Sequence, residues 1–175
     1  MKSLLIVALM AAAATVEAQH QPYAGQESRD IKALSAKEIE QYLSGAGMGF
    51  AKAAELNRHP GPMHVLELAD RLKLSPEQRQ ATKQLMDAHK AEARALGAKL
   101  VDAEGRLEAL FRRGEVRPEE LATAVREAAT VQGEYRLSHL ETHRRLRAVL
   151  TEAQVAQYDL LRGYASGSGR SGHKH

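Results

Sequence analysis

One helix-starting signal occurs three times in this chain, at residues 34–38, 74–78 and 150–154. Each copy has the form Leu-Ser/Thr-x-x-Glu/Gln, which is a capping box preceded by a leucine. In such a box the hydroxyl accepts a hydrogen bond from the backbone N–H three residues later, and the Glu or Gln side chain bonds back to the cap residue. Local hydrogen bonding therefore predicts three helix starts, whatever the tertiary structure.

Two long amphipathic segments follow the second of these signals. The sequence predicts one helix from Pro76 to about Arg112 and another from Pro118 to about Val149. Apolar residues recur in both at alternating steps of three and four, which favours antiparallel packing across a short connection. Because the turn lies near residue 115, we expect facing residues to have numbers that add up to about 230.

Shorter elements flank this hairpin. The Pro-Gly-Pro break at residues 60–62 precedes a predicted short helix over residues 63–73. The third signal predicts a final short helix that ends at Arg162. Glycines within residues 45–49 interrupt the region before the break. The predicted fold class is all-α: a long antiparallel helical hairpin with short flanking helices.

The two ends of the chain have compositions of their own. Residues 1–18 combine Lys2, an apolar run and small terminal residues, the order of a cleaved secretory signal peptide. The alternative, an uncleaved anchor, is less favoured because the apolar run is shorter than the ~20 residues that span a bilayer. We therefore predict a periplasmic protein. The predicted divisions are the signal peptide at 1–18, a segment of short broken helices at 19–62, a helical domain at 63–164, and a disordered Gly/Ser/His tail at 165–175.

Composition excludes several classes of function. The chain has no cysteine, so it has neither a lipid attachment site nor disulfides. Its formal net charge of +3 is too small to indicate a nucleic-acid partner. His139 and His143 are spaced as in zinc proteases, but there the catalytic glutamate directly follows the first histidine. Glu141 lies two residues after His139, about 200° around the helix, and points away from both imidazoles. We expect no enzymatic activity.

Histidines suggest a metal site on the hairpin. His139 and His143 are four residues apart, so both imidazoles leave the same helix face. The hairpin register places His89 opposite residue 141, between them. Three imidazoles suit Zn, Ni, Co or Cu, with a fourth position for a ligand from the short helix. The predicted ligands are His139, His143, His89 and, in the fourth place, His64 or Glu67. The alternative is a polar layer that fixes the register of the seam.

An exported, cysteine-free helical chain with these motifs resembles the Spy/CpxP family of periplasmic LTxxQ-motif proteins, which includes ZraP-like and CnrX-like heavy-metal resistance and sensor proteins. The resemblance is carried by the boxes at 74–78 and 150–154, the first with Ser in place of Thr, and it covers roughly residues 54–164. It implies a cradle-shaped hairpin that forms a homodimer.

The resemblance leaves two functions open. One is a heavy-metal resistance or sensing accessory of the envelope stress response that binds a transition metal. The alternative is an ATP-independent periplasmic chaperone that prevents aggregation of its clients or aids their refolding. The partners implied are a second copy of the chain, and unfolded client proteins or a membrane sensor protein.

Overall fold

The computed structural model describes residues 22–164, and its regular elements there are all α-helices, which confirms the predicted all-α class. The predicted signal peptide at 1–18 and tail at 165–175 lie outside the described residues. The helices are α1 (Ala36–Ser44), α2 (Lys52–Glu55), α3 (Pro62–Glu67), α4 (Pro76–Arg112), α5 (Pro118–Arg147) and α6 (Glu152–Arg162). Within residues 22–164, none of these helices combines the length and the apolar composition that a membrane crossing needs.

All three capping boxes form. The hydroxyls of Ser35, Ser75 and Thr151 each accept the backbone N–H three residues later at 3.2 Å. The side chain at that third position bonds back to the backbone N–H of the cap residue in every case. These local bonds explain why α1, α4 and α6 begin where the sequence predicts.

The long hairpin is the centre of the fold. Helix α4 has the predicted bounds, and α5 ends at Arg147, two residues before the predicted Val149. Leu96 and Tyr135, a pair expected from the hairpin register, belong to the same buried cluster. Helix α1 crosses α4 so closely that the carbonyl of Tyr42 lies directly over Gly97.

The short helix α3 is shorter than predicted. It ends at Glu67, whereas the sequence predicted a helix to Lys73. The chain continues in turns that keep Leu72 and Leu74 buried, and Lys73 adopts a left-handed backbone with φ of 51°. A continuous helix cannot reverse the chain into α4 within so few residues, so the prediction was wrong over 68–73.

Two apolar clusters stabilise the hairpin at different heights. We call the first the base cluster; its buried members are Val65, Ala69, Leu72, Leu74, Leu146, Leu150, Val155 and Tyr158. We call the second the mid-hairpin cluster; its buried members are Leu34, Tyr42, Ala93, Leu96, Leu100 and Tyr135. Between them, α4 and α5 contribute a polar layer that consists of His89, Ser138, His139 and Thr142.

The second and third capping boxes are joined by their glutamines. Gln78 Nε2 donates to Gln154 Oε1 at 2.9 Å, and Gln154 Nε2 donates to Gln78 Oε1 at 2.8 Å. Gln78 also donates to the carbonyl of Val149, and Gln154 to that of Leu72. This reciprocal amide pair ties the start of α4 to the start of α6 beneath the base cluster.

The crossing of α1 over α4 yields a stability prediction. A methyl group at Gly97 would lie 1.9 Å from the Tyr42 carbonyl oxygen, so Gly97→Ala must push α1 away. We expect a loss of about 2 kcal/mol or more in the free energy of unfolding. Gly133→Ala is the matched control, because a methyl group there meets no atom within 4 Å and α5 should gain about 0.5–1 kcal/mol. Urea denaturation measures both, and Gly97→Ala as stable as wild type would contradict the crossing.

Candidate metal centre

A single cavity brings the predicted histidines together. It has a volume of about 480 Å³, and His64, His89, His139 and His143 all line it. The walls come from the loop between α1 and α2, from α2 and α3, from the first half of α4, and from the C-terminal parts of α5 and α6. The four histidines that the helix spacing, the hairpin register and the short helix predicted therefore line one cavity, although they come from three separate parts of the chain.

His139 is the most deeply buried of these histidines. Only 4% of its surface is exposed, and its ring packs against Phe50 and Tyr135, with ring centroids 6.5 and 4.8 Å away. Its Nδ1 lies 2.9 Å from His89 Nε2. Its Nε2 is buried and has no hydrogen-bond partner. A bare polar atom in such a place is uncommon and calls for an explanation.

Both ring nitrogens of His89 are engaged. Nε2 meets His139, and Nδ1 lies 3.2 Å from the hydroxyl of Ser138. His89 thus faces residues 138 and 139, whereas the predicted register placed it opposite residue 141. The seam is shifted by less than one helical turn, so His89 contacts one of the two α5 histidines and does not sit between them.

The imidazole of His143 is held by the chain just before α3. Its Nδ1–H donates to the carbonyl oxygen of His59 at 2.7 Å, so Nε2 carries the lone pair in the neutral ring. The opposite edge of the ring lies against Gly61, where a methyl group would come within 2.9 Å of Cε1 and 3.1 Å of Nε2. Gly61 therefore makes the room that His143 occupies.

His64 has the same arrangement on α3. Its Nδ1 is 2.9 Å from Oε2 of Glu67, and a carboxylate can only accept, so Nδ1 donates. Glu67, the predicted alternative fourth ligand, is thereby placed behind the imidazole as its hydrogen-bond acceptor. In the neutral ring Nε2 again carries the lone pair.

Glu55, on α2, is a site residue that sequence reasoning missed. Its carboxylate accepts a hydrogen bond from the Gly61 backbone N–H at 3.0 Å and from the Tyr158 hydroxyl at 2.5 Å. It also lies 3.6 Å from His143 Nδ1. The short segment around it carries no recognisable motif. The one available signal was the Pro-Gly-Pro break, which turns the chain back toward α2.

Burial keeps the two contacting histidines uncharged. Desolvation lowers the pKa of His139 to about 4, and repulsion from His89 and His143 acts in the same direction. Desolvation also lowers the pKa of His89, against the opposing effect of Glu92. Neutral imidazoles are the form that binds metal ions, so protons do not compete for these nitrogens at neutral pH.

The side chains that line the cavity are of the types that bind transition metals, but in their present positions they do not converge on one point. Within residues 22–164, no three His, Asp or Glu side chains lie close enough together to hold an ion without moving. The fit lies in the chemistry of the wall: neutral imidazoles, one buried nitrogen without a partner, and a nearby carboxylate. Metal capture at this cavity therefore requires rotation of side chains that line it.

The lowered pKa values predict that mild acid destabilises the protein. Between its ordinary pKa of 6.5 and the folded value of about 4, His139 binds a proton in the unfolded chain but not in the folded one. The free energy of unfolding should therefore fall, by of the order of 2 kcal/mol, as pH drops through this window.

Urea denaturation as a function of pH, with NMR titration of the imidazoles, checks this expectation. His139→Leu is the matched variant, and its stability should depend less on pH over the same window. A His139 resonance that titrates near 6.5 would contradict the burial described above.

Comparison with known proteins gives one family match. The family model described as heavy-metal resistance matches residues 2–157, a range that includes the N-terminal segment with Glu55. No curated protein and no solved structure matches the chain. The matched range is far more than half of the sequence and contains the hairpin and all three capping boxes. The chain therefore belongs to the heavy-metal resistance family, the group of Spy/CpxP/ZraP-like proteins that its motifs resemble.

Proposed function

We propose that this protein acts in the periplasm and binds a transition metal ion at the cavity lined by His64, His89, His139 and His143. Family membership supplies the coarse role in heavy-metal resistance. The observation that carries the proposal is the Nε2 of His139, which is buried without a partner in a wall that holds three more imidazoles. A metal ion would satisfy that nitrogen. The proposed role is binding, without catalysis.

The hydrogen bonds around the cavity favour specific donor atoms. We assign the hydrogen between His89 and His139 to His139 Nδ1, because the opposite tautomer leaves an N–H buried without an acceptor, which costs about 1–3 kcal/mol. His139 then has its lone pair on Nε2, as do His143 and His64. Metal-binding histidines usually donate their other N–H to an oxygen or a similar acceptor, which fixes the ring orientation.

This assignment changes the role of one predicted ligand. His89 accepts from His139 and donates to Ser138, so both of its nitrogens are used in orienting its neighbour. We therefore propose His139, His143 and His64 as the ligands through Nε2, and His89 as the positioning residue. Because the ligands come from α3 and α5, a bound ion would link the two helices and stabilise the folded state.

A second candidate function has a separate observation in its favour. Leu137 is 63% exposed and lines a shallow groove together with Leu140 and Arg144. Leu56, which is 60% exposed, directly precedes Asn57 in the chain, and Asn57 lines the same groove. Exposed apolar surface of this kind suits an unfolded client. The metal-independent chaperone is therefore the alternative proposal, and the homodimer and the sensor partner stay predictions from the family resemblance.

Calorimetric titration tests the metal proposal. We would titrate Zn, Ni, Co and Cu(II) into full-length protein in which His20, His173 and His175 are replaced by Gln, so that only described histidines contribute. His143→Gln should weaken metal binding by about 10-fold or more, because it removes a nitrogen ligand. His59→Gln is the matched control, since His59 contacts His143 only through its backbone carbonyl.

Two outcomes separate the candidate functions. Equal affinity in His143→Gln and His59→Gln would contradict the proposed site. If aggregation of a reduced client is then suppressed equally with and without chelator, and that suppression is lost in Leu56→Ser/Leu137→Ser, the chaperone function takes its place.

A further inference from the structure

We propose that this cavity takes a soft monovalent ion of the copper group, Cu(I) or Ag(I), with methionine thioethers among its ligands. The inference rests on the proposed function and names its substrate class. The three methionines within residues 22–164 are Met48, Met63 and Met86, and all three line the cavity that the four histidines line. They come from the loop between α1 and α2, from α3 and from α4, so no helical periodicity explains their meeting.

Thioether sulfur distinguishes between metal ions. It is a soft, uncharged donor that binds Cu(I) well, whereas Zn, Ni and Co are served by imidazole and by oxygen. Methionine also has three rotatable bonds, so its sulfur can move to meet an ion. This flexibility is relevant because, within residues 22–164, the histidines in their present positions are not close enough together to hold an ion. The thioethers add flexible donors to the same cavity wall.

The charge of the cavity wall also favours a monovalent ion. Lys52, Lys90 and Arg162 line it, against one carboxylate, that of Glu55. That carboxylate already accepts hydrogen bonds from Gly61 and Tyr158. A doubly charged ion would meet more repulsion in this setting than a singly charged one, and neutral sulfur and nitrogen ligands do not offset the difference.

The methionines differ from the buried imidazole in how far they are exposed. Met63 is 49% exposed, and Met48 and Met86 are half-buried. His139, which lines the same cavity, is almost fully buried. Sulfur donors at graded exposure would give an entering ion ligands before it reaches His139 Nε2.

Affinities for two metals in parallel test the inference. For the full-length protein, Cu(I) would be measured anaerobically with ascorbate by competition with bathocuproine disulfonate, and Zn(II) by competition with a fluorescent chelator. In the triple variant Met48→Leu/Met63→Leu/Met86→Leu, we expect Cu(I) affinity to fall by about 100-fold or more. The loss of a single outer-shell contact already lowers metal affinity by about 10-fold to 100-fold, and here direct ligands are removed. Zn(II) affinity should stay unchanged, because leucine preserves the apolar volume and the imidazoles are intact.

A spectroscopic readout separates ligation from cavity shape. The chain has no cysteine, so any sulfur atom seen around copper by X-ray absorption must be a methionine thioether. Sulfur neighbours in the wild type that vanish in the triple variant would support the inference. Copper with nitrogen neighbours only would overturn it, as would a triple variant that loses both metals equally or neither. If Zn(II) still binds and His143→Gln weakens it, the proposed function survives that result; if neither metal binds wild type, both proposals fail.

Discussion

The reciprocal amide pair between Gln78 and Gln154 is the interaction on which the rest of this structure depends. Each glutamine closes its own capping box and also bonds across to the other box. A local signal for starting a helix thus becomes a tertiary link between α4 and α6. Because that link sets where α6 lies, it also sets the base cluster and the position of Tyr158, which bonds Glu55 beside the cavity.

Between the base cluster and the mid-hairpin cluster, the hairpin is packed by the polar layer instead of by apolar side chains. Burying imidazoles without full hydrogen bonding costs stability, and the depressed pKa of His139 is one expression of that cost. Apolar clusters on both sides of the layer offset it. A layer that served only to fix register would be expected to satisfy its polar atoms, and His139 Nε2 has no partner. This bare nitrogen favours a binding role over a purely structural one.

Patterns local in sequence predicted most helix boundaries correctly. They failed where contacts between distant parts of the chain determine the structure. The three boxes and both ends of α4 follow from hydrogen bonds and helix breakers close in sequence. The early end of α3 depends on how Leu72 and Leu74 must pack, which no local pattern shows. For the site, spacing identified the histidines, but the shifted register that pairs His89 with His139 follows from how the helices pack. Glu55 and the meeting of the methionines depend on the path of the N-terminal segment over the hairpin.

We propose that the unpartnered Nε2 of His139 is a metal donor. The most direct test follows the imidazole nitrogens of ¹⁵N-labelled protein by long-range ¹H–¹⁵N NMR as Zn(II) is added. We predict that the His139 Nε2 resonance moves to the metal-bound range, that Nδ1 keeps its hydrogen toward His89, and that His59 does not respond. A His139 spectrum that stays unchanged while zinc binds elsewhere on the chain would contradict the claim.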